Sequence, residues 1–141
     1  MTMRVEANRL DTDPEVAGAD LAGLRILVVE DSALMADTLA DMLAAGGVTV
    51  IGPVGRIATA VALAQREILD GALLDVSLAG THAGPVAEVL DRRGIPFIFL
   101  TGHSDLSILP DAFHAAPRLR KPFHIHDLQR EVARRFRPPA A

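Results

Sequence analysis

From Leu24 onward the chain alternates two patterns of apolar residues. Short runs rich in branched side chains occur at Arg25–Val29, Val48–Val54, Ala72–Leu74 and Ile95–Leu100, with a weaker fifth at Arg118–Arg120. Longer segments with helical spacing lie between them. Met35, Leu39, Met42 and Leu43 form the apolar face of the first, which Gly46-Gly47 ends. The second runs from Ile57 to Ile68, and the third opens at Pro85, a residue suited to a first helical turn, and stops at Gly94. The fourth, Ser104 to Ala116, is interrupted by Pro110, and the last places Ile125, Leu128, Val132 and Phe136 about a turn apart. Continuous apolar strands belong to a sheet covered on both faces, hence a parallel one. Right-handed crossovers then predict an α/β fold: a doubly wound, five-stranded parallel sheet of (βα)5 type. Residues 1–23 mix Glu6, Asp11, Asp13, Glu15 and Asp20 with Pro14, Gly18 and Gly23 and show no period. They read as a flexible N-terminal extension before a domain spanning 24–137, with 138–141 as a short tail.

In such sheets ligands bind beyond the carboxyl ends of the strands. Glu30 and Asp31 follow the first strand, Asp75 ends the third, Thr101 and Gly102 follow the fourth, and Lys121 and Pro122 follow the fifth. A parallel sheet brings all of them to one rim. Three carboxylates a few ångströms apart repel, so a proton or a cation must sit among them. All-oxygen ligands suit Mg²⁺. An ionised aspartate can also act as a nucleophile and form an aspartyl phosphate, whose oxygens a metal, an ammonium and a hydroxyl would hold. Each residue has an ordinary reading by itself. Glu30-Asp31 suits a helix N-terminus beside the capping Ser32, Asp75 a loop, Thr101-Gly102 a turn and Lys121 the surface. Their recurrence at four separate strand ends favours a shared site.

Composition narrows the picture. The chain has 141 residues, half of them hydrophobic, which suits one domain with its own core. It has no cysteine, excluding disulfides and thiolate–zinc sites, and no apolar run long enough to span a membrane. A net charge of −4 and 4% aromatic residues argue against a nucleic-acid groove. A cytoplasmic location follows as the expectation. Of 14 basic residues only Lys121 is a lysine.

The motifs Ile26-Leu27-Val28-Val29-Glu30-Asp31-Ser32, Leu73-Leu74-Asp75, Leu100-Thr101-Gly102 and Arg120-Lys121-Pro122-Phe123, in this order and spacing, resemble the receiver domain of two-component response regulators. That family has a flavodoxin-like fold. The resemblance implies phosphorylation of Asp75 by a histidine kinase or phosphotransfer protein. It implies Mg²⁺ held by Asp31 and Asp75, by Glu30 through water and by the backbone carbonyl of Ser77, with Thr101 and Lys121 taking phosphoryl oxygens. It also implies a cis Lys121–Pro122 bond, and a signalling domain rather than an enzyme, beyond self-catalysed phosphotransfer and autodephosphorylation. Gly94-Ile95-Pro96-Phe97-Ile98-Phe99-Leu100-Thr101-Gly102-His103, with Leu78-Ala79-Gly80, is similar to a subgroup marked by Pro-Phe-x-Phe-Ala-Thr-Gly-Tyr. Its members are often single-domain regulators paired with HWE-type kinases. Output would pass through an unknown downstream protein or phosphate buffering, at the rim formed by Thr101, Lys121, the fourth helix and the fifth strand, with no membrane or nucleic-acid partner. The chain departs from the subgroup motif at Leu100, in place of Ala, and at His103, in place of Tyr, and from typical receivers at Arg118, where a switch aromatic is usual, and at Ala79, where a proline is usual. His124 and His126, which could suggest a metal pair, precede the last helix and read as solvent-facing.

Two rivals remain. Gly52-Pro53-Val54-Gly55-Arg56-Ile57-Ala58 could be a dinucleotide-binding phosphate loop, with Asp75 as its ribose-binding acid; that leaves Glu30, Asp31, Thr101 and Lys121 without a role. A pseudo-receiver that only binds partners would keep the fold without the chemistry, which the intact acid pair, acceptor, Thr and Lys oppose.

Overall fold

A computed structural model describes residues 21–78, 80–102 and 105–137. The expected alternation is present. The main elements are β1 (Arg25–Val29), α1 (Ala33–Ala45), β2 (Thr49–Val54), α2 (Ile57–Arg66), β3 (Gly71–Asp75), α3 (Gly84–Arg92), β6 (Phe97–Thr101), β7 (Arg118–Arg120) and α4 (Ile125–Phe136). The sheet is five-stranded and parallel in the order β2-β1-β3-β6-β7, a flavodoxin-like doubly wound arrangement. Between β3 and α3 lies a hairpin that the periodicity did not reveal, β4 (Ser77–Leu78) paired antiparallel with β5 (Thr81–His82). Two-residue strands are below the length at which alternation can be read.

Both faces of the sheet are covered, as the unbroken apolar strands require. Leu27, Val29, Leu74 and Phe99 pack with Ala60 and Ala64 of α2 and with Val86, Val89 and Leu90 of α3. Ile26, Val28, Leu73, Ile98 and Leu100 face the other way, onto Leu39 and Leu43 of α1 and Leu128, Val132 and Phe136 of α4. The period of two along each strand thus divides the core into two layers. At Gly71 a side chain would meet the ring of Phe136 at 2.4 Å, so only a hydrogen there lets α4 close onto the sheet.

Two boundaries differ from the sequence reading. The segment after β6 is not a fourth α-helix: it forms 3₁₀ turns at Asp105–Ile108 and Asp111–Phe113. Pro110 has no N–H to give and disfavours a helical Leu109 before it, so the turn cannot propagate. The segment is pinned instead by Leu109 and Phe113, both buried. Phe97, Phe99 and Phe113 meet edge to face, with ring centroids 5.3 to 6.1 Å apart. The second difference is at the N-terminal edge. Leu21, placed by the sequence in the extension, is 1% exposed and packs against Gly46 and the α1–α4 layer. Gly23 N–H donates to Gly47 O, and Arg137 donates to Ala22 O. Residues 1–20 and 138–141, the remainder of the predicted extension and tail, lie outside the described residues.

Leu21→Ala is therefore expected to cost about 2–4 kcal/mol in chemical denaturation, the range for a buried leucine. Truncation through Ala22 should destabilise the fold by at least as much.

Candidate functional site

Each strand ends where its apolar run ends, and the polar residues that follow meet at one rim. Glu30 N–H donates to Val54 O at 2.9 Å, tying the residue after β1 to the end of β2. Asp75 is the last residue of β3, and Lys121 N–H donates to Thr101 O at 2.8 Å, joining the ends of β6 and β7. One oxygen from each of Glu30, Asp31 and Asp75 falls within 4.8 Å of the others. Glu30 and Asp75 are buried, whereas Asp31 faces solvent at the mouth. The Lys121 ammonium reaches in from the far side, 3.1 Å from Glu30 Oε1 and 3.4 Å from Asp75 Oδ1. Ser32 N–H donates to Glu30 Oε2 at 3.1 Å, so both oxygens of that carboxylate are held, while the Ser32 hydroxyl caps α1 through Met35 N–H. Thr101 is 4% exposed at the same rim. The Lys121–Pro122 bond is cis.

The electrostatics follow from this crowding. Burial is the largest influence on Asp75. With the hydrogen bond and charge of Glu30 it outweighs the attraction of Lys121 and pushes the Asp75 carboxyl up to about 7. Burial pulls the Lys121 amine down, but the charges of Asp75 and Glu30 overcome it and hold the amine above its ordinary value. Lys121 is therefore a fixed cation beside an aspartate that holds its proton close to neutrality. An oxygen-only cluster with surplus negative charge and an open mouth fits a hard divalent cation such as Mg²⁺.

Comparison with known proteins agrees with this geometry. The family model for the response regulator receiver domain matches residues 26–133. The chain belongs to the response regulator receiver family. The receiver is 34% identical over 107 residues to the transcriptional regulatory protein PdtaR of Mycobacterium tuberculosis, covering 74% of this chain and 52% of PdtaR. It thus spans about half the length of the curated relatives it matches. Among solved structures it is similar to SdrG from Sphingomonas melonis Fr1 in solution, at 39% identity and a TM-score of 0.67 over 78% of this chain and 94% of that one. It is also similar to the receiver domain of a sensor histidine kinase from Pseudomonas aeruginosa PAO1, solved with magnesium coordinated in the active-site cleft. That match has 27% identity and a TM-score of 0.67, over 80% of this chain and 97% of the other.

The receiver's sequence-assigned residues thus divide into groups. Glu30, Asp31, Asp75 and Lys121 come together directly. Thr101 closes the same rim through its backbone contact with Lys121. Ser77 lies two residues past Asp75, exposed, in β4 of the hairpin. His103 and Ala79 are outside the described residues. His124 and His126 are exposed at the start of α4. The Gly52-to-Gly55 stretch is not a phosphate loop, because β2 runs through Gly52 to Val54 and only Gly55 and Arg56 connect it to α2. Gly55 has a different use. A side chain there would meet the Cα of Asp31 at 3.0 Å, so its bareness lets the β2–α2 turn back onto the acidic loop. A glycine directly after a strand is the sequence signal for such a close backbone approach.

The raised Asp75 value fixes the sign of a pH effect. Between the ordinary value of 3.8 and about 7 the folded protein binds more protons at this group than the unfolded chain does. The group's contribution to stability therefore falls as pH rises through that window. In chelator, the melting temperature of the wild type should drop relative to that of Asp75→Asn from pH 4 to pH 7 and run parallel above it. Differential scanning fluorimetry across that range checks the point; a constant offset would refute it.

Proposed function

We propose that this receiver accepts phosphate on Asp75, in a Mg²⁺-dependent reaction, from a histidine kinase or a phosphotransfer protein of a two-component phosphorelay. The observation that carries the reading is the lone lysine reaching the two buried carboxylates, Asp75 and Glu30, of a cluster of three. Glu30, Asp31 and Asp75, with the Ser77 backbone carbonyl, would hold the ion. When bound, it supplies positive charge beside the transferring phosphoryl oxygens. An Asp75 carboxylate oxygen attacks phosphorus, the phosphorus–nitrogen bond to the donor imidazole breaks, and the leaving nitrogen takes the bonding electron pair. Lys121 offers its ammonium to one phosphoryl oxygen and Thr101 its hydroxyl to another. Glu30 keeps Lys121 aimed at Asp75 before and after transfer.

The phosphoryl group brings about 1.5–2 negative charges to the rim. Moving a two-state equilibrium from 1:99 to 99:1 takes about 5.5 kcal/mol of differential stabilisation. A few charge-assisted bonds at about 1.5–3 kcal/mol each supply that. Output then passes through protein contacts on the Thr101–Lys121 side or through phosphate buffering. An HWE-type kinase as donor and a cytoplasmic site of action complete the proposal. Among the described residues no helix is long and apolar enough to cross a membrane.

With acetyl phosphate and Mg²⁺, intact-mass spectrometry should find one added phosphoryl group on the wild type and none on Asp75→Asn. Labelling that persists in the variant would overturn the acceptor assignment. Lys121→Ala should retain Mg²⁺ binding within a few-fold, measured by calorimetry, while losing any phosphorylation-dependent change in the amide spectrum.

A further inference from the structure

The acceptor strand does not run straight into α3. After Asp75 the chain makes the hairpin of β4 and β5, in which Ser77 pairs with His82 and Leu78 with Thr81. Two strands of two residues each cannot hold their shape alone. Leu78 and Ala83, both fully buried, root the hairpin in the α2–α3 layer. Val76 N–H donates to Leu100 O, and Ala83 N–H donates to Val76 O, each at 3.1 Å. These contacts fix the base of the hairpin. In an antiparallel ladder, pairs that exchange hydrogen bonds alternate with pairs that do not. The Ala83–Val76 bond makes Ser77 and His82 a pair of the second kind, so the Ser77 carbonyl is left outside the hairpin's own ladder.

The His82 ring fastens the opposite strand. Its Nδ1 accepts the N–H of Gly84 at 3.0 Å, at the first residue of α3, where an N–H has no partner within the helix. Ala83, the residue at the N-cap position, makes no side-chain cap. The fit is close. A side chain at Gly84 would meet His82 Cε1 at 2.7 Å and Nδ1 at 2.8 Å, with Pro110 Cδ at 3.2 Å. Capping alone requires neither a histidine nor a bare glycine, since a serine or aspartate at position 83 would serve. What distinguishes His82 is its place on β5, directly across from Ser77, so its bond ties the strand facing Ser77 to the first turn of a packed helix.

The geometry points to His82 as the residue that positions the Ser77 carbonyl for Mg²⁺. By fastening β5 to α3 it keeps β4 from sliding or opening, and it holds that carbonyl in one place two residues past Asp75. His82 does not ligate the ion; its Nδ1 is committed to Gly84. Gly84 is the other half of the device, because only a hydrogen there admits the ring. The inference rests on the reading in which the Ser77 carbonyl is one of the groups that hold the ion.

The test titrates the full chain with MgCl₂ and follows the amide signals of Asp31 and Ser77. His82→Ala should weaken Mg²⁺ binding about tenfold, as loss of a group that supports a metal ligand does. In chelator the Gly84 amide of that variant should exchange faster, while its melting temperature moves by no more than a few degrees, because Leu78 and Ala83 still root the hairpin. Gly84→Ala, which pushes the ring away, should reproduce the weaker binding with His82 in place. His82→Asn should recover most of the affinity, since an asparagine oxygen can accept the N–H two residues on. Labelling of His82→Ala by acetyl phosphate should be slow at limiting Mg²⁺ and reach the wild-type rate at saturating Mg²⁺. Unchanged Mg²⁺ affinity in both His82→Ala and Gly84→Ala would overturn the proposal and leave His82 a helix cap. A loss that His82→Asn does not recover would overturn it as well. A wild type whose Asp31 and Ser77 amides ignore Mg²⁺ would refute the metal site itself, and the positioning role with it, which is distinct from a wild type and variants that bind alike.

Discussion

The ion pairs of Lys121 with Glu30 and Asp75 are the interaction on which the site depends. Burying two carboxylates at adjoining strand ends is unfavourable, and placing a third at the mouth adds repulsion. One ammonium, delivered from β7 across the width of β6, offsets that cost and ties together strands that are not neighbours. The same ammonium then determines what the rim can accept. It leaves the cluster short of positive charge, which suits a divalent cation, and it supplies a donor beside Asp75, which suits a phosphoryl group.

The scaffold makes this possible by keeping polar chemistry out of the core until the strands end. Each central strand is apolar on both faces, so the first residue free to be charged is the one past the last layer of packing. That is why the acids and the lysine collect at one end of the sheet, and why a parallel arrangement suffices to bring together residues 91 positions apart.

Much of this was legible in the sequence because it depends on period and order. The strands at Arg25–Val29 and Arg118–Arg120 were bounded as they stand, and α4 was read from Leu128, Val132 and Phe136. The site residues were legible because each follows an apolar run. What escaped depends on contacts between segments. Leu21 has no periodic neighbours, and its burial is visible only once α1 is in place. Ser77 to His82 is too short to show alternation. Pro110 showed that the fourth helix was interrupted, but not that two 3₁₀ turns and three phenylalanine rings would replace it. Gly55 looked like part of a phosphate loop because a bare backbone beside an acid and a bare backbone beside a nucleotide leave the same mark in a sequence.

Gly71 and Asp75 sit at opposite ends of one five-residue strand, and they serve separate ends of the molecule. Phe136 takes the space where a side chain at position 71 would be, so the seating of the final helix is governed from the floor of the sheet. The carboxylate cluster is seated at its crest. Evolution or engineering can thus loosen the closing helix through one backbone position while leaving Glu30, Asp31, Asp75 and Lys121 where they stand.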